Sequence, residues 1–393
     1  MAPLLPDPAP TRTATGDPDG PTAAAPATAA PDAPAAPPSP GRGTGPRPWS
    51  RVVGSSLFWP VLTLAALLLA NLVWSPGFFT ITVQDGALYG SLVDIAKNGA
   101  PTALIALGMT LVVATRGIDL SVGATVAISG AVACTWIASS PDPTSPGAAL
   151  SGIGVALVLA LVLGVWNGAI VSVLGIQPII ATLVLMTAGR GIAMLITDGQ
   201  IVTVSNPTYA VLGSGFWFGL PVAVVLTALV YLAVALLTRR TALGMLLESV
   251  GINPTASRLA GVRARGIVWS VYLFVALCAG VAGLLISSNV TAADANNAGL
   301  WIELDAILAV VIGGTLLSGG RYSIGGTLVG ALILQTLTTT VYTVGIAPEV
   351  TLVFKAVVII AVCLLQSPKV RSALARRRRK PAGTPTTSQA VSR

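Results

Sequence analysis

The chain contains no histidine, which removes imidazole acid–base chemistry, imidazole metal ligands and the H-E-x-x-H helix together. Cysteine is nearly as scarce. Cys134, Cys278 and Cys363 stand singly in apolar runs with no C-x-x-C and no metal-ligand spacing, and read as small buried apolar side chains. Charge is thin as well: only 9% of residues are Asp, Glu, Lys or Arg, against about 25% in soluble globular domains, too few to keep the chain in water. A soluble enzyme is excluded. So is ATP hydrolysis by this chain, because Lys97, Lys355, Lys369 and Lys380 precede Asn98, Ala356, Val370 and Pro381, and none completes the phosphate-cradling G-x-x-x-x-G-K-[ST] loop.

What is present is apolar: 54% of the 393 residues are hydrophobic, with a mean hydropathy of +0.83. The composition divides the chain in three. Residues 1–50 hold 14 of the 28 prolines among Ala, Thr, Gly and Asp, which cannot bury enough apolar surface to offset chain entropy, and read as a disordered tail. No apolar stretch near the start marks this tail as a secretory signal. Residues 51–368 form the apolar body. Residues 369–393 carry eight basic side chains, among them Arg376, Arg377, Arg378, Arg379 and Lys380, and no acid, so the net charge of +8 sits there. Beside anionic lipid each such charge contributes about 1 kcal/mol, and the tail reads as a membrane-surface anchor rather than a nucleic-acid site.

A run of about 20 apolar residues is what a helix needs to cross roughly 30 Å of hydrocarbon. Ten such spans are expected, near 57–74, 95–115, 119–138, 148–173, 178–197, 217–238, 267–288, 303–317, 324–344 and 350–366. The eighth is short and broken by Gly313, Gly314, Gly319 and Gly320, so it should face protein or a water-filled cavity. Alternate loops concentrate arginine: Arg116, then Arg239, Arg240, Arg258, Arg263 and Arg265, then Arg321; the opposite loops carry Asp85, Asp142, Asp198, Asp294 and Glu349. The excess of arginine places that end, and both termini, in the cytoplasm. The expected fold is an all-α membrane protein, a polytopic bundle of about ten transmembrane helices, multi-pass in the cell membrane.

Segments 108–121 and 307–324 share one plan, an apolar run, a Gly and Arg break and a second apolar run, as in transporters built from interrupted helices. The loop between the sixth and seventh spans is more informative. Asn253 suits an N-cap, Pro254 the first helical position and Gly261 the residue after the helix. The sequence thus specifies a helix of roughly seven residues, about 10 Å long, exposing Thr255, Arg258 and Leu259. A connection needs no such helix. It is either a knob for another protein to grip or an interfacial helix that sets Arg258 and Arg263 on lipid headgroups.

Several stretches resemble the ribose-type sugar permeases of ATP-binding-cassette importers: Gly108–Gly123, Trp166-Asn-Gly-Ala-Ile-Val, Ile176-Gln-Pro-Ile-Ile-Ala-Thr182, Thr187-Ala-Gly-Arg-Gly191 and Glu303–Thr315. The loop with Glu248, Gly251, Asn253, Ala256, Arg258 and Gly261 does so too. Gly199-Gln-Ile-Val-Thr and Ala293–Glu303 are most similar to the galactofuranose branch. The resemblance covers residues 55–368 and departs at Arg116, where that family commonly has Gly, at Leu316-Leu317, where Ser is common, and in the Pro-rich tail. It implies a membrane permease subunit that moves a monosaccharide inward by alternating access. It also implies a second permease subunit (a homodimer or a paralogue), a separate cytoplasmic ATPase that binds the ATP, and an extracytoplasmic sugar-binding protein, with no cofactor on this chain. The ATPase-coupling loop would be Glu248, Gly251, Asn253, Pro254, Ala256, Arg258, Leu259 and Gly261.

Polar groups inside the spans are the remaining candidates, because charge in lipid is costly unless paired. Asp119, Ser121, Asn167, Thr182 and Arg190 are the candidate translocation pathway. Each has a structural alternative. Asp119 and Ser121 would cap the third span, or Asp119 would pair with Arg116. Asn167, beside Trp166, would offer a sugar an amide next to an apolar face, or bond a neighbouring helix. Arg190 would serve the pathway or a structural pair. Glu303 and Asp305 would open the eighth span near the outer surface, as helix-dipole partners or as a contact for the binding protein. The rival reading is an ion-coupled secondary transporter with Asp119 or Asp94 as its ion site.

Overall fold

The computed structural model describes residues 57–74, 77–84 and 86–345, and nine positions between 350 and 364. The expected tails lie outside the described residues, and the expected tenth span is described only at those scattered positions.

Among the described residues the chain forms twelve helices: α1 Phe58–Trp74, α2 Ser91–Ala114, α3 Val122–Ala138, α4 Pro146–Ser172, α5 Pro178–Ile196, α6 Pro207–Ser214, α7 Val222–Arg240, α8 Leu243–Ile252, α9 Pro254–Leu259, α10 Ala264–Val290, α11 Ile302–Ile312 and α12 Ile324–Val344. Their starts are written in the sequence as proline after a capping residue. Ser145 Oγ accepts from Ala148 N at 3.2 Å ahead of Pro146, and Asn206 Oδ1 accepts from Tyr209 N at 3.0 Å ahead of Pro207.

Six helices, α2, α4, α5, α7, α10 and α12, are long and apolar enough to cross a membrane. α1 and α3 are apolar but stop at 17 residues. The expected sixth span starts later than its apolar run, at Val222, because Phe216–Trp217 (β4) and Leu220–Pro221 (β5) pair as a hairpin. The two residues of its turn, Phe218 and Gly219, both have positive φ, the conformation that matches the twist of a tight hairpin. The expected eighth span is a half-length helix: α11 has 11 residues, about 16 Å at 1.5 Å per residue, and cannot cross on its own.

The remaining strands are Thr82–Gln84 (β1) with Ala87–Tyr89 (β2), and Val202–Thr203 (β3) with Ala292–Ala293 (β6), all antiparallel. The second pair ties the segment after α5 to the segment after α10. At the opposite end of the bundle lie the arginine-bearing connections, hereafter the basic end.

α10 is the axis of the bundle, packing against α2, α3 and α4. Glycine lets these helices approach closely. A methyl group on Gly108 of α2 would lie 2.8 Å from the Val275 Cα, and one on Gly283 of α10 would lie 2.4 Å from the Val126 carbonyl oxygen of α3. Lipid supplies no hydrophobic drive between helices, so close van der Waals packing of small residues carries the association. Gly283→Val should therefore destabilise the purified protein by about 1–3 kcal/mol, read as a lower midpoint of thermal unfolding in detergent. Gly154→Ala, with open space around the added methyl, should leave the midpoint equal or higher.

Candidate functional site

α2 and α3 are separated by an irregular segment, 115–121, that must satisfy its own backbone groups inside the bundle. Arg116 N and Gly117 N donate to the carbonyls of Val113 and Val112, each at 2.9 Å. Leu120 N donates to Thr182 Oγ1 of α5 at 3.1 Å. Ser121 donates to Asp119 Oδ1 twice, from N at 2.9 Å and from Oγ at 2.6 Å. Asn167 Nδ2 of α4 then donates to Ser121 Oγ at 2.7 Å. Asp119, Ser121, Asn167 and Thr182 are each 2% exposed or less. Four of the five residues singled out in the spans thus form one buried cluster where α3, α4 and α5 meet the break.

The structure corrects three expectations about these residues. Asp119 closes a turn onto Ser121 instead of capping α3, whose first turn has no side-chain cap. Asp119 does not pair with Arg116, which turns to the opposite side and donates to the carbonyl oxygen of Ile252. Asn167 and Trp166 do not share a surface: Asn167 points into the bundle and Trp166 is 57% exposed. A carboxylate without a cation is costly in such surroundings, and the two Ser121 donors are what hold it. Asn167 Oδ1 and the Tyr272 hydroxyl, both buried, have no hydrogen-bond partner. The cluster therefore mixes satisfied and open polar groups, the equipment to exchange hydrogen bonds with a neutral hydroxylated molecule.

Arg190, the fifth residue, is apart from this cluster. Its Nη1 donates to two backbone carbonyls, Ala298 at 2.6 Å and Ala295 at 3.1 Å, and so holds the strap 291–301 that descends from α10 against α3. Asp294 organises the top of that strap, accepting from Asn296 N, Asn297 N and Asn297 Nδ2; the Asn297 amide holds its carboxyl below the ordinary range. The strap ends where glycine meets glycine: a methyl on Gly123 would lie 2.6 Å from the Gly299 carbonyl oxygen. Glu303 follows and is 4% exposed, its Oε2 pressed on Gly123 and without a partner. Its expected place near the outer surface is thus overturned. The strap carries it down to the first turn of α3, one whole helix away from the end at Ala138. Asp305 pairs with Lys355 Nζ at 3.2 Å.

At the basic end the loop between α7 and α10 holds two helices, α8 and α9, rather than one. Asn253 Oδ1 accepts from Thr255 N at 3.1 Å and Ala256 N at 3.0 Å, Pro254 opens α9, and Gly261 follows at φ 84. Thr255, Ala256 and Arg258 are exposed and Leu259 is 87% exposed. Glu248 lies half-buried on α8. Gly251 is the anchor: a methyl there would overlap the Ala114 carbonyl of α2 and lie 2.5 Å from Gly320 N. Gly320 N itself donates to Ala114 O at 2.9 Å. Arg116, at φ 66, occupies the left-handed region that usually falls to glycine, and uses its side chain to clasp Ile252 at the end of α8. The knob is thereby wired to the same segment that carries Asp119.

Sequence reasoning missed Tyr272, Gly123 and Gly299. A lone tyrosine in an apolar run and glycines in a chain with 42 of them give no signal of their own.

A family profile described as "Branched-chain amino acid transport system / permease component" matches residues 91–363. The galactofuranose transporter permease protein YtfT of Escherichia coli (strain K12) is 48% identical over 316 residues, 79% of this chain and 91% of that protein. The fructose import permease protein FruF of Bifidobacterium longum (strain NCC 2705) is 38% identical over 84% of this chain and 93% of its own length. The ribose import permease protein RbsC of Bacillus subtilis (strain 168) is 35% identical over 79% and 92%. No solved structure matches the chain.

Ser121 is the hub of the buried cluster, so Ser121→Ala should strand both Asp119 and the Asn167 amide. It should cost about 1–3 kcal/mol in chemical or thermal denaturation of the purified protein. Thr187→Ala, on the exposed face of α5, should stay within about 0.5 kcal/mol of the parent.

Proposed function

Because the chain belongs to the permease-component family of the branched-chain amino acid transport system type, a family of multi-pass membrane transporters, we propose that it is the membrane permease of a monosaccharide importer driven by a separate ATPase. The substrate class follows the relatives rather than the family description. Those aligned along nine-tenths or more of their length are named for galactofuranose, fructose and ribose, and a cluster of neutral hydrogen-bonding groups suits a polyol better than a zwitterion, which would call for paired charges.

In this reading the basic end faces the cytoplasm, both termini with it, and the other end receives sugar from a binding protein. A second permease subunit completes the pathway. α9 is the coupling helix, gripped by the ATPase, which binds and hydrolyses the ATP. The observation that carries the reading is the junction under that helix. Gly251 seated on Ala114, and Arg116 on Ile252, leave no slack between α8–α9 and the segment 115–121. A push on the knob reaches Ser121, Asn167 and Thr182 without passing through a loop. The polar cluster and Arg190 then lie along the route the sugar takes.

The test is uptake into proteoliposomes holding this chain, its ATPase and its binding protein. Glu248→Lys and Arg258→Glu should lower ATP-dependent uptake by roughly 5–150-fold, the range of a coupling free energy of 1–3 kcal/mol, while membrane insertion is unchanged. Full uptake by both variants would remove the coupling role of α8–α9. Accumulation by the chain alone, driven by a proton or sodium gradient, would instead select the ion-coupled reading, with Asp119 or Asp94 as the ion site.

A further inference from the structure

At the basic end, a cavity of about 340 Å³ opens between the α4–α5 turn, the knob and the start of α10. Its wall contains two cations, Arg258 of α9 and Arg265 of α10, and no acid. Asp119, which neighbours Tyr272, does not line it. The remaining polar groups are neutral: Thr115, Ser172, Gln177 and Tyr272. Two of these are built in rather than displayed. Tyr272 is 0% exposed and forms the floor, and its hydroxyl lacks a partner; Ser172 Oγ is likewise buried and unpartnered. Buried hydroxyls normally find a hydrogen bond, so two orphans facing one basic cavity are open positions for a ligand.

We infer that this cavity is a binding site for a small phosphate monoester, its phosphate held by Arg258 and Arg265 and its hydroxyl-bearing remainder by Tyr272, Ser172 and Gln177. The charge matches: a monoester carries close to two negative charges at neutral pH, and the wall offers two guanidinium groups in a fork geometry suited to phosphate. The size matches as well. A volume of about 340 Å³ is more than a bare tetrahedral anion fills, and it lies at the low end of small-molecule sites, roughly 300–1,000 Å³. A triphosphate would bring four charges against two. The occupant bridges α9 to α4 and α10, so it fixes the knob against the bundle. If the reading as a cytoplasm-facing sugar importer holds, a phosphorylated sugar made by a kinase after import is the soluble candidate, and its binding restrains the coupling helix. A lipid headgroup with a terminal phosphate offers the same chemistry.

The site is testable on the isolated chain, without ATPase, binding protein or transport. Ribose-5-phosphate, ribose and inorganic phosphate are titrated calorimetrically into the purified protein in phosphatidylcholine nanodiscs. Ribose-5-phosphate should bind more tightly than inorganic phosphate, and ribose should not bind. Arg265→Gln, which removes one charge-assisted contact from an exposed side chain, should weaken binding by about tenfold. Tyr272→Phe should weaken it by about threefold to tenfold while leaving the salt dependence unaltered. Unchanged thermal unfolding midpoints in both variants would attribute these losses to the site rather than to the fold. Equal binding of ribose and its phosphate, or full binding by Arg265→Gln, would overturn the assignment. Loss of ribose-5-phosphate binding when phosphatidic acid is added to the nanodisc would support the phosphate-monoester chemistry and give the site to the lipid. Because no step uses transport, a negative result here leaves the importer reading intact, and a failed uptake assay leaves this site intact.

Discussion

Where a chain leaves the helix inside an apolar bundle, each freed N–H and C=O must be met by protein, and that obligation shapes this molecule more than any other. It does so twice, at 115–121 and at 313–323, and the two departures lean on each other. Gly320 N donates to Ala114 O, Thr110 Oγ1 and Thr327 Oγ1 are 2.7 Å apart, and Gly251 is lodged between Ala114 and Gly320. Side chains complete the rest: Thr182 takes Leu120 N, Asp119 takes Ser121 N, and Thr315 Oγ1 takes Ser323 N at 3.1 Å. The polar residues here are thus structural and functional at once. The groups that make the breaks tolerable are those placed where a hydroxylated molecule would pass.

Much of this was legible in the sequence, and the legible part has a common cause. Long apolar runs, capping residues ahead of proline, and glycine after a helix are local signals, so the spans near 148–173 and 178–197 and the short helix opened by Asn253 and Pro254 coincide with α4, α5 and α9 to within two residues. The clustering of Asp119, Ser121, Asn167 and Thr182 was suggested only by their being polar in apolar surroundings. The illegible part is non-local. α8 reads as ordinary amphipathic chain until Gly251 is seen against α2. The eighth span stops at 11 residues because its first half is replaced by a strap, whose path is dictated by Gly123 and Gly299 meeting across the bundle. Apolar composition cannot tell a membrane crossing from a descent along a neighbouring helix. The same blindness put Glu303 at the wrong depth.

Arginine has three different jobs in this chain, and charge alone does not distinguish them. Arg190 is half-buried and serves backbone carbonyls of the strap. Arg116 adopts a glycine-like backbone and turns that departure from the resembling family into a clasp on Ile252. Arg258 and Arg265 face a cavity from two different helices. In each case the planar guanidinium reaches past its own element to fix a second one, which a lysine ammonium, with its single point of charge, does less well. The scarcity of lysine in the body, Lys97 and Lys355 alone between 52 and 368, fits that division of labour.

The short ladder between β3 and β6 has a consequence for how the bundle can deform. It fastens the chain leaving α5 to the chain leaving α10, through Val202 opposite Ala293 and Thr203 opposite Ala292, while Arg190 staples the same strap to α5 from below. With two rungs above and a clamp beneath, α5 and the strap are geared together. A slide of one drags the other across the crossing of Gly123 and Gly299, and the buried carboxylate of Glu303 swings with them like the free end of a crank.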